Sequence, residues 1–312
     1  MKAIYLIPAV LAVGVSCKVR IFNEGEGDVS AVSAVSSGGA EYLALMDKNA
    51  DRFSNAVFRM FNHHDRTLHR LNDLYKSGEL KKDGRRTLVH WDYHSDMYRN
   101  NSHLEGNVNI GNYINTLIWK GDIDEVWWIV PDATHDTTPT KCEKPKSQQE
   151  LFWGRPNSVS DWQFRDGPGD QLICVSEAGA FTFKITGTCP GRTVKMHKRT
   201  LADVLSGKDG KIAGPTILDI DADFFDYSGR YANEGYGDEP HCYGFHEPSE
   251  AALNKTMANF MIAITDKMDL RPDYIAVSRS PGYTVERKEI IFSALEQFSK
   301  KSKSSAIEPP AK

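Results

Sequence analysis

Leu88-Val89-His90-Trp91-Asp92-Tyr93-His94-Ser95-Asp96 passes from an apolar run directly into an Asp-x-His-x-Asp triplet. On an extended strand the side chains at i, i+2 and i+4 leave one face, so the spacing predicts that Asp92, His94 and Asp96 converge. Converging carboxylates repel unless a proton or a cation lies between them, and a divalent metal is the usual solution. A second acidic strand end, Ile217-Leu218-Asp219-Ile220-Asp221-Ala222-Asp223-Phe224-Phe225, repeats the pattern with three carboxylates. Each motif alone has a plainer account, a calcium loop or solvated strand end for one and an N-cap network for the other. Together they predict a metal site.

The flanking pattern supplies the frame. Apolar residues at helical spacing between 41 and 77 (among them Leu43, Met46, Phe53, Val57, Phe61, Leu68 and Leu71) predict one or two long helices. A buried strand at 87–91, a helix at 110–120 closed by Gly121 and a second buried strand at 125–130 make a β-α-β unit. Residues 132–190, rich in Pro, Gly, Ser and aromatic residues, read as an insertion carrying a hairpin near 181–185. Strands follow at 194–197, 216–221 and 274–277, with helices at 201–205, 247–267 and 285–299. The expected fold is α/β, one three-layer α/β/α domain over 41–299 with a mainly parallel sheet. Both acidic motifs then fall at carboxyl ends of parallel strands, where ligands of open α/β sheets bind.

Length and charge narrow the partners. With 312 residues, 40% apolar, the chain can bury a large core. A net charge of -4 gives no general attraction to nucleic acid or anionic lipid. Lys2, an apolar run over 3–15 and Ser16-Cys17 have the layout of a cleaved secretory signal, 1–17, similar to a bacterial lipoprotein signal. Cys17 would then be lipidated, placing an exported protein in the periplasm or at the cell surface, held to membrane by that anchor alone. Simple secretion and a buried first strand are the alternatives. Residues 18–40 read as a flexible tether and 300–312 as a disordered tail. Cys142, Cys174, Cys189 and Cys242 remain, with three possible pairings; Cys174 with Cys189, flanking the hairpin, is the first choice, and four free thiols the alternative.

The motifs in order resemble the arginase and histone deacetylase superfamily, more closely its peptide arginase-like branch. The resemblance rests on Asn62-His63-His64-Asp65, the His-x-Asp-x-His-x-Asp run from His90 to Asp96, Asn112-Tyr113-Ile114 before Val126-Trp127-Trp128-Ile129, the Asp219–Phe225 strand end, and Ser278-Arg279-Ser280-Pro281-Gly282-Tyr283-Thr284. It covers about residues 58–299, with 132–190 unmatched. It implies a binuclear manganese centre, Fe2+ or Zn2+ being alternatives, whose bridging hydroxide attacks a guanidino carbon. Asp92 and Asp221 would bridge; Asp96 and an upstream histidine would complete one ion, His94 and Asp223 the other. His64 is the candidate upstream ligand, 92 − 64 = 28 residues before Asp92, and His63 its rival. A shifted alignment would use Asp219 and Asp221 instead of Asp221 and Asp223. Glu247, Glu250, Glu105 or Asp226 could pair with a guanidinium, His103 and His197 could shuttle protons, and Arg279 could bind a substrate carboxylate or pair with a site aspartate. The implied reaction releases urea from a small-molecule or peptide guanidino group, in the nearest branch peptidyl arginine giving ornithine. A deacetylase-like amidohydrolase with one zinc or iron on Asp92, His94 and Asp221 is the second reading. A non-catalytic surface lipoprotein binding a ligand through the insertion is the third. Oligomeric state is not legible in the sequence.

Overall fold

The two strands that carry the acidic motifs lie side by side and parallel, with His90 opposite Asp219. The structure is a computed structural model describing residues 37–82, 84–97, 108–132, 141–143, 169–175, 181–183, 189, 191–225, 241–243, 249–281, 284 and 287–310. Its main sheet has nine strands in the order β11 (Ser304–Ile307), β1 (Val57–Phe61), β10 (Tyr274–Ser278), β8 (Thr216–Asp221), β2 (Arg86–Trp91), β3 (Ile123–Val130), β7 (Arg192–Thr200), β5 (Gly169–Val175) and β6 (Phe181–Phe183). Pairing is parallel from β11 through β7 and antiparallel from β7 to β6. A separate antiparallel ladder joins β4 (Lys141–Glu143) to β9 (His241–Tyr243).

Helices cover both faces, as the α/β expectation required. Strands such as β2, buried at every position, need apolar cover on each side. On one face α1 (Ser37–Lys48), α5 (Leu201–Ser206), α6 (Glu250–Ile262), α7 (Lys288–Leu295) and α8 (Gln297–Lys301) pack on Val89, Trp91, Leu218 and Ile220. On the other, α3 (Arg66–Ser77) and α4 (Tyr113–Lys120) pack on Leu88, Ile217 and Val126. Trp91 anchors the first face, its ring meeting Phe224 and Phe260 edge-on with centroids 5.2 and 4.8 Å away.

Several sequence expectations are corrected. The helical reading of 41–77 hides β1, which lies between α2 (Ala50–Phe53) and α3. Its apolar residues at 57, 58, 60 and 61 suit a helix face and a strand buried on both sides equally well. The strand wins because Val57 and Phe61 enter one core while Phe58 and Met60 enter the other. The expected tail folds as well: α8 reaches Lys301, and β11 adds to β1 through main-chain bonds while its side chains stay largely exposed. The tether expectation ends at Ser37, where α1 begins, and the leader with Cys17 lies outside the described residues. The insertion contributes β5 and β6 to the main sheet, and Cys174 is disulfide-bonded to Cys189.

Candidate metal centre

Between β8 and β2 the connectivity of the sheet reverses, because β2 continues to β3 on one side and β8 to β10 on the other. A crevice opens at such a point beyond the carboxyl ends of the strands. Alternation sends Leu218 and Ile220 into one core, so Asp219 and Asp221 face the α3/α4 side, as His90 does on β2. There they meet His64, in the turn before α3.

The motifs converge, but by a different route from the extended strand expected of 92–96. β2 stops at Trp91, and Asp92 Oδ1 accepts from the His94 N–H at 2.6 Å as the chain turns back. Asp96 reaches the site through a left-handed backbone, φ 46°. Asp223 likewise leaves the strand in a single 3-10 turn, Ala222–Phe224, whose first free N–H is capped by Asp221 Oδ1 at 3.1 Å. Non-glycine residues in the left-handed region carry strain and cluster at functional sites; Ser280, at φ 43°, is a second one here.

Two clusters of ligand-type atoms result. His64 Nδ1 lies 3.0 Å from Asp92 Oδ2, 3.0 Å from Asp96 Oδ2 and 3.0 Å from Asp221 Oδ2. His94 Nδ1 lies 3.0 Å from Asp223 Oδ2 and 3.4 Å from Asp92 Oδ1. Asp92 thus belongs to both. All these residues but His94 are buried, yet His64 Nδ1, Asp92 Oδ2 and Asp223 Oδ2 have no hydrogen-bond partner of acceptable geometry. Such buried His/Asp clusters are compatible with a metal site. His63, the rival upstream histidine, is exposed, whereas His64 is 2% exposed.

Asp219 occupies the other side of the His64 ring, its Oδ2 3.0 Å from Nε2. His64, His90 and Asp219 also gather ligand-type atoms, but both Asp219 oxygens already accept hydrogen bonds from within the fold. Its Oδ2 is 2.7 Å from His90 Nδ1 and accepts from the Tyr113 hydroxyl at 2.6 Å, and its Oδ1 accepts from Thr67 Oγ1 at 2.8 Å. The shifted alignment therefore meets a carboxylate whose bonds lead into the protein. His90 was readable from the same alternation, two residues before Asp92. Nothing local tied Thr67, or Tyr113 of the Asn112-Tyr113-Ile114 motif, to Asp219; only the packing of α3 and α4 brings them in.

Charge in the clusters is divided unevenly. Burial opposes ionisation of Asp92, but the positive charge of His90 and the close approach of His64 and His94 outweigh it and hold its carboxyl well below the usual range. Burial, then the Asp92 charge, pushes Asp96 up to about 7. Burial and the charges of Asp221 and Asp92 raise Asp223 well above the ordinary value. Burial disfavours the charged form of His64, yet Asp219 and Asp221 raise its pKa overall. Without a cation, then, the site must hold protons to keep its carboxylates together.

The remaining candidates fall elsewhere. Ser280 Oγ donates to Asp221 Oδ2. Arg279 bonds the Asn62 side chain at 3.2 Å and the Glu308 carbonyl at 2.6 Å instead of pairing with a site aspartate. His197 is set apart from the carboxylates of the candidate site, a correction to its expected shuttle role. Its nitrogens lie 2.8 Å from Asp170 and 3.2 Å from Glu125, and its ring stacks on Trp127 at 4.2 Å. The reason is topological: β7 is two strands from β2, about 10 Å, and His197 sits within the strand rather than at its end. Glu250 is exposed at the start of α6. His103, Glu105, Asp226 and Glu247 lie outside the described residues.

No family model matches the chain, and no curated protein matches it. A solved structure described as a hypothetical agmatinase from Burkholderia thailandensis is similar at 12% identity with a TM-score of 0.36, over 86% of this chain and 64% of that one. The chain thus spans just under two thirds of that protein's length, and an overlap this loose adds nothing to the geometry.

Proposed function

We propose that this chain is a metal-dependent hydrolase of C–N bonds holding two divalent ions in the clusters around His64 and His94. One ion would be held by His64, Asp92, Asp96 and Asp221, the other by Asp92, His94 and Asp223, with Asp221 as the second bridge that the resemblance implies. The supporting observation is the crowd of three carboxylate oxygens at 3.0 Å around an imidazole nitrogen that hydrogen-bonds to none of them. Donors about 2.1 Å from an octahedral ion lie about 3.0 Å apart when adjacent, so the spacing fits a metal cage. Hard oxygen donors with imidazole suit manganese, with Fe2+ or Zn2+ as alternatives.

Ions held there would supply Lewis acidity, ionising a water near neutral pH and polarising a planar carbon. The chain's own groups fix the donors: Asp92 is locked by its turn to the His94 N–H and Asp221 by Ser280. Following the resemblance, the substrate carries a guanidino group, peptidyl arginine being the specific form, and urea is released. An amidohydrolase with one ion on Asp92, His94 and Asp221 would leave the His64 cluster unexplained. The exported lipoprotein expectation is a further proposal, to be checked by the mass of a mature N-terminus at Cys17.

The deciding experiment combines elemental analysis of protein purified without chelator with urea release from arginine-containing peptides. Two equivalents of manganese and urea production are expected. One equivalent with deacetylase activity would favour the second reading, and no bound metal would overturn the proposal.

A further inference from the structure

We infer that Cys142 and Cys242 form a second disulfide, which ties together the two connections leaving the sheet on either side of β2, the strand that leads into Asp92. Of the five cysteines, Cys174 and Cys189 are already joined. In the β4–β9 ladder Cys142 is the register partner of Cys242, between the pairs Lys141 with Tyr243 and Glu143 with His241. Directly opposed residues of an antiparallel pair have Cα atoms about 4.5–5.5 Å apart. Disulfides need about 4.4–6.8 Å. A cross-strand register of this kind therefore meets the separation the bond requires without moving the backbone.

The place of the link gives it a consequence. β4 belongs to the connection that follows β3, and β9 to the one that follows β8; β8 and β3 are the two sheet neighbours of β2. A bond between them closes a loop of 242 − 142 = 100 positions. Long closed loops restrict the unfolded chain most. In forming it, two thiols lose two protons and two electrons; an oxidised dithiol or glutathione disulfide accepts the electrons and leaves as two thiols. This inference does not depend on the metal reading.

The test uses full-length protein exported through an oxidising compartment and purified without reductant. It is denatured, its free thiols are alkylated, and it is digested and mapped by mass spectrometry before and after reduction. The expected result is one linked species carrying Cys142 and Cys242, two hydrogens lighter than the separate peptides and resolved by reductant. Alkyl label on both residues, or a link from either to another cysteine, overturns the inference. In Cys142→Ser, Cys242 should become fully alkylated while Cys174 and Cys189 stay linked. A Cys242 that remains protected there has another partner, which equally sinks the idea.

Discussion

Asp92 presents its two carboxylate oxygens to two different histidines, Oδ2 at 3.0 Å from His64 Nδ1 and Oδ1 at 3.4 Å from His94 Nδ1. A residue so placed serves both clusters at once. Losing a group that only orients a ligand already costs about 10–100-fold in metal affinity or activity. Asp92→Asn should therefore lose more than that, and lose both ions together. Elemental analysis of the variant checks it; retention of both ions at wild-type affinity would contradict the shared role.

The adjacent histidines separate cleanly. His64 is buried among four aspartates while His63 is exposed. His64→Asn should release at least one equivalent of metal and abolish hydrolysis, whereas His63→Asn should change stability by no more than about 0.5 kcal/mol, as exposed substitutions do. Equal effects of the two on metal content would argue against His64 as a ligand.

Asp219 should prove a support rather than a ligand. Removing one partner of a buried ionic group costs about 3–5 kcal/mol, and Asp219→Ala strands His90, Tyr113 and Thr67 together. Denaturant unfolding of the metal-free variant should show a loss of this order. Asp219→Asn, which keeps the shape, should recover much of the stability while metal affinity stays about 10–100-fold weak. An unchanged unfolding midpoint in Asp219→Ala would refute the network.

Protons and metal compete for the same carboxylates. Asp96 is pushed up to about 7 from an ordinary value of 3.8, so the folded metal-free protein holds this proton where the unfolded chain releases it. Its contribution to stability is thus fully present below the ordinary value and is lost as pH rises towards about 7. Metal binds the ionised form, which reverses the sign. The gain in Tm on adding Mn2+ should grow from about pH 5 to about pH 8, as thermal melts with and without the ion will show. A gain independent of pH would count against Asp96 as a ligand.

Reduction should loosen the antiparallel edge. Cys174 and Cys189 close a loop with a sequence separation of 15, for which the chain-entropy effect is about 3 kcal/mol. The double variant Cys174→Ser, Cys189→Ser should unfold at correspondingly lower denaturant, with hydrogen exchange rising first in β5. Unchanged stability would show that the link constrains little.

The sequence by itself determined the layers and the address of the site. Apolar runs at 87–91, 125–130 and 216–221 require cover on both faces, and acidic residues at their ends cannot be buried without a partner, so a parallel sheet with carboxylates at its carboxyl edge follows from local pattern. β1 was not legible, because an apolar pattern at 57, 58, 60 and 61 fits two periods and only the two cores choose between them. β11 was not legible either, since its pairing uses main-chain bonds that leave no apolar trace. Within the site, spacing named Asp92, His94 and Asp221; the ends of neighbouring strands bring Asp92 and Asp221 together, and the turn after β2 brings in His94. The division of labour between Asp219 and Asp223 was a tertiary matter. It depends on which oxygens Tyr113, Thr67 and His90 engage; His90 comes from the neighbouring strand, but Tyr113 and Thr67 arrive from helices that no local rule connects to β8.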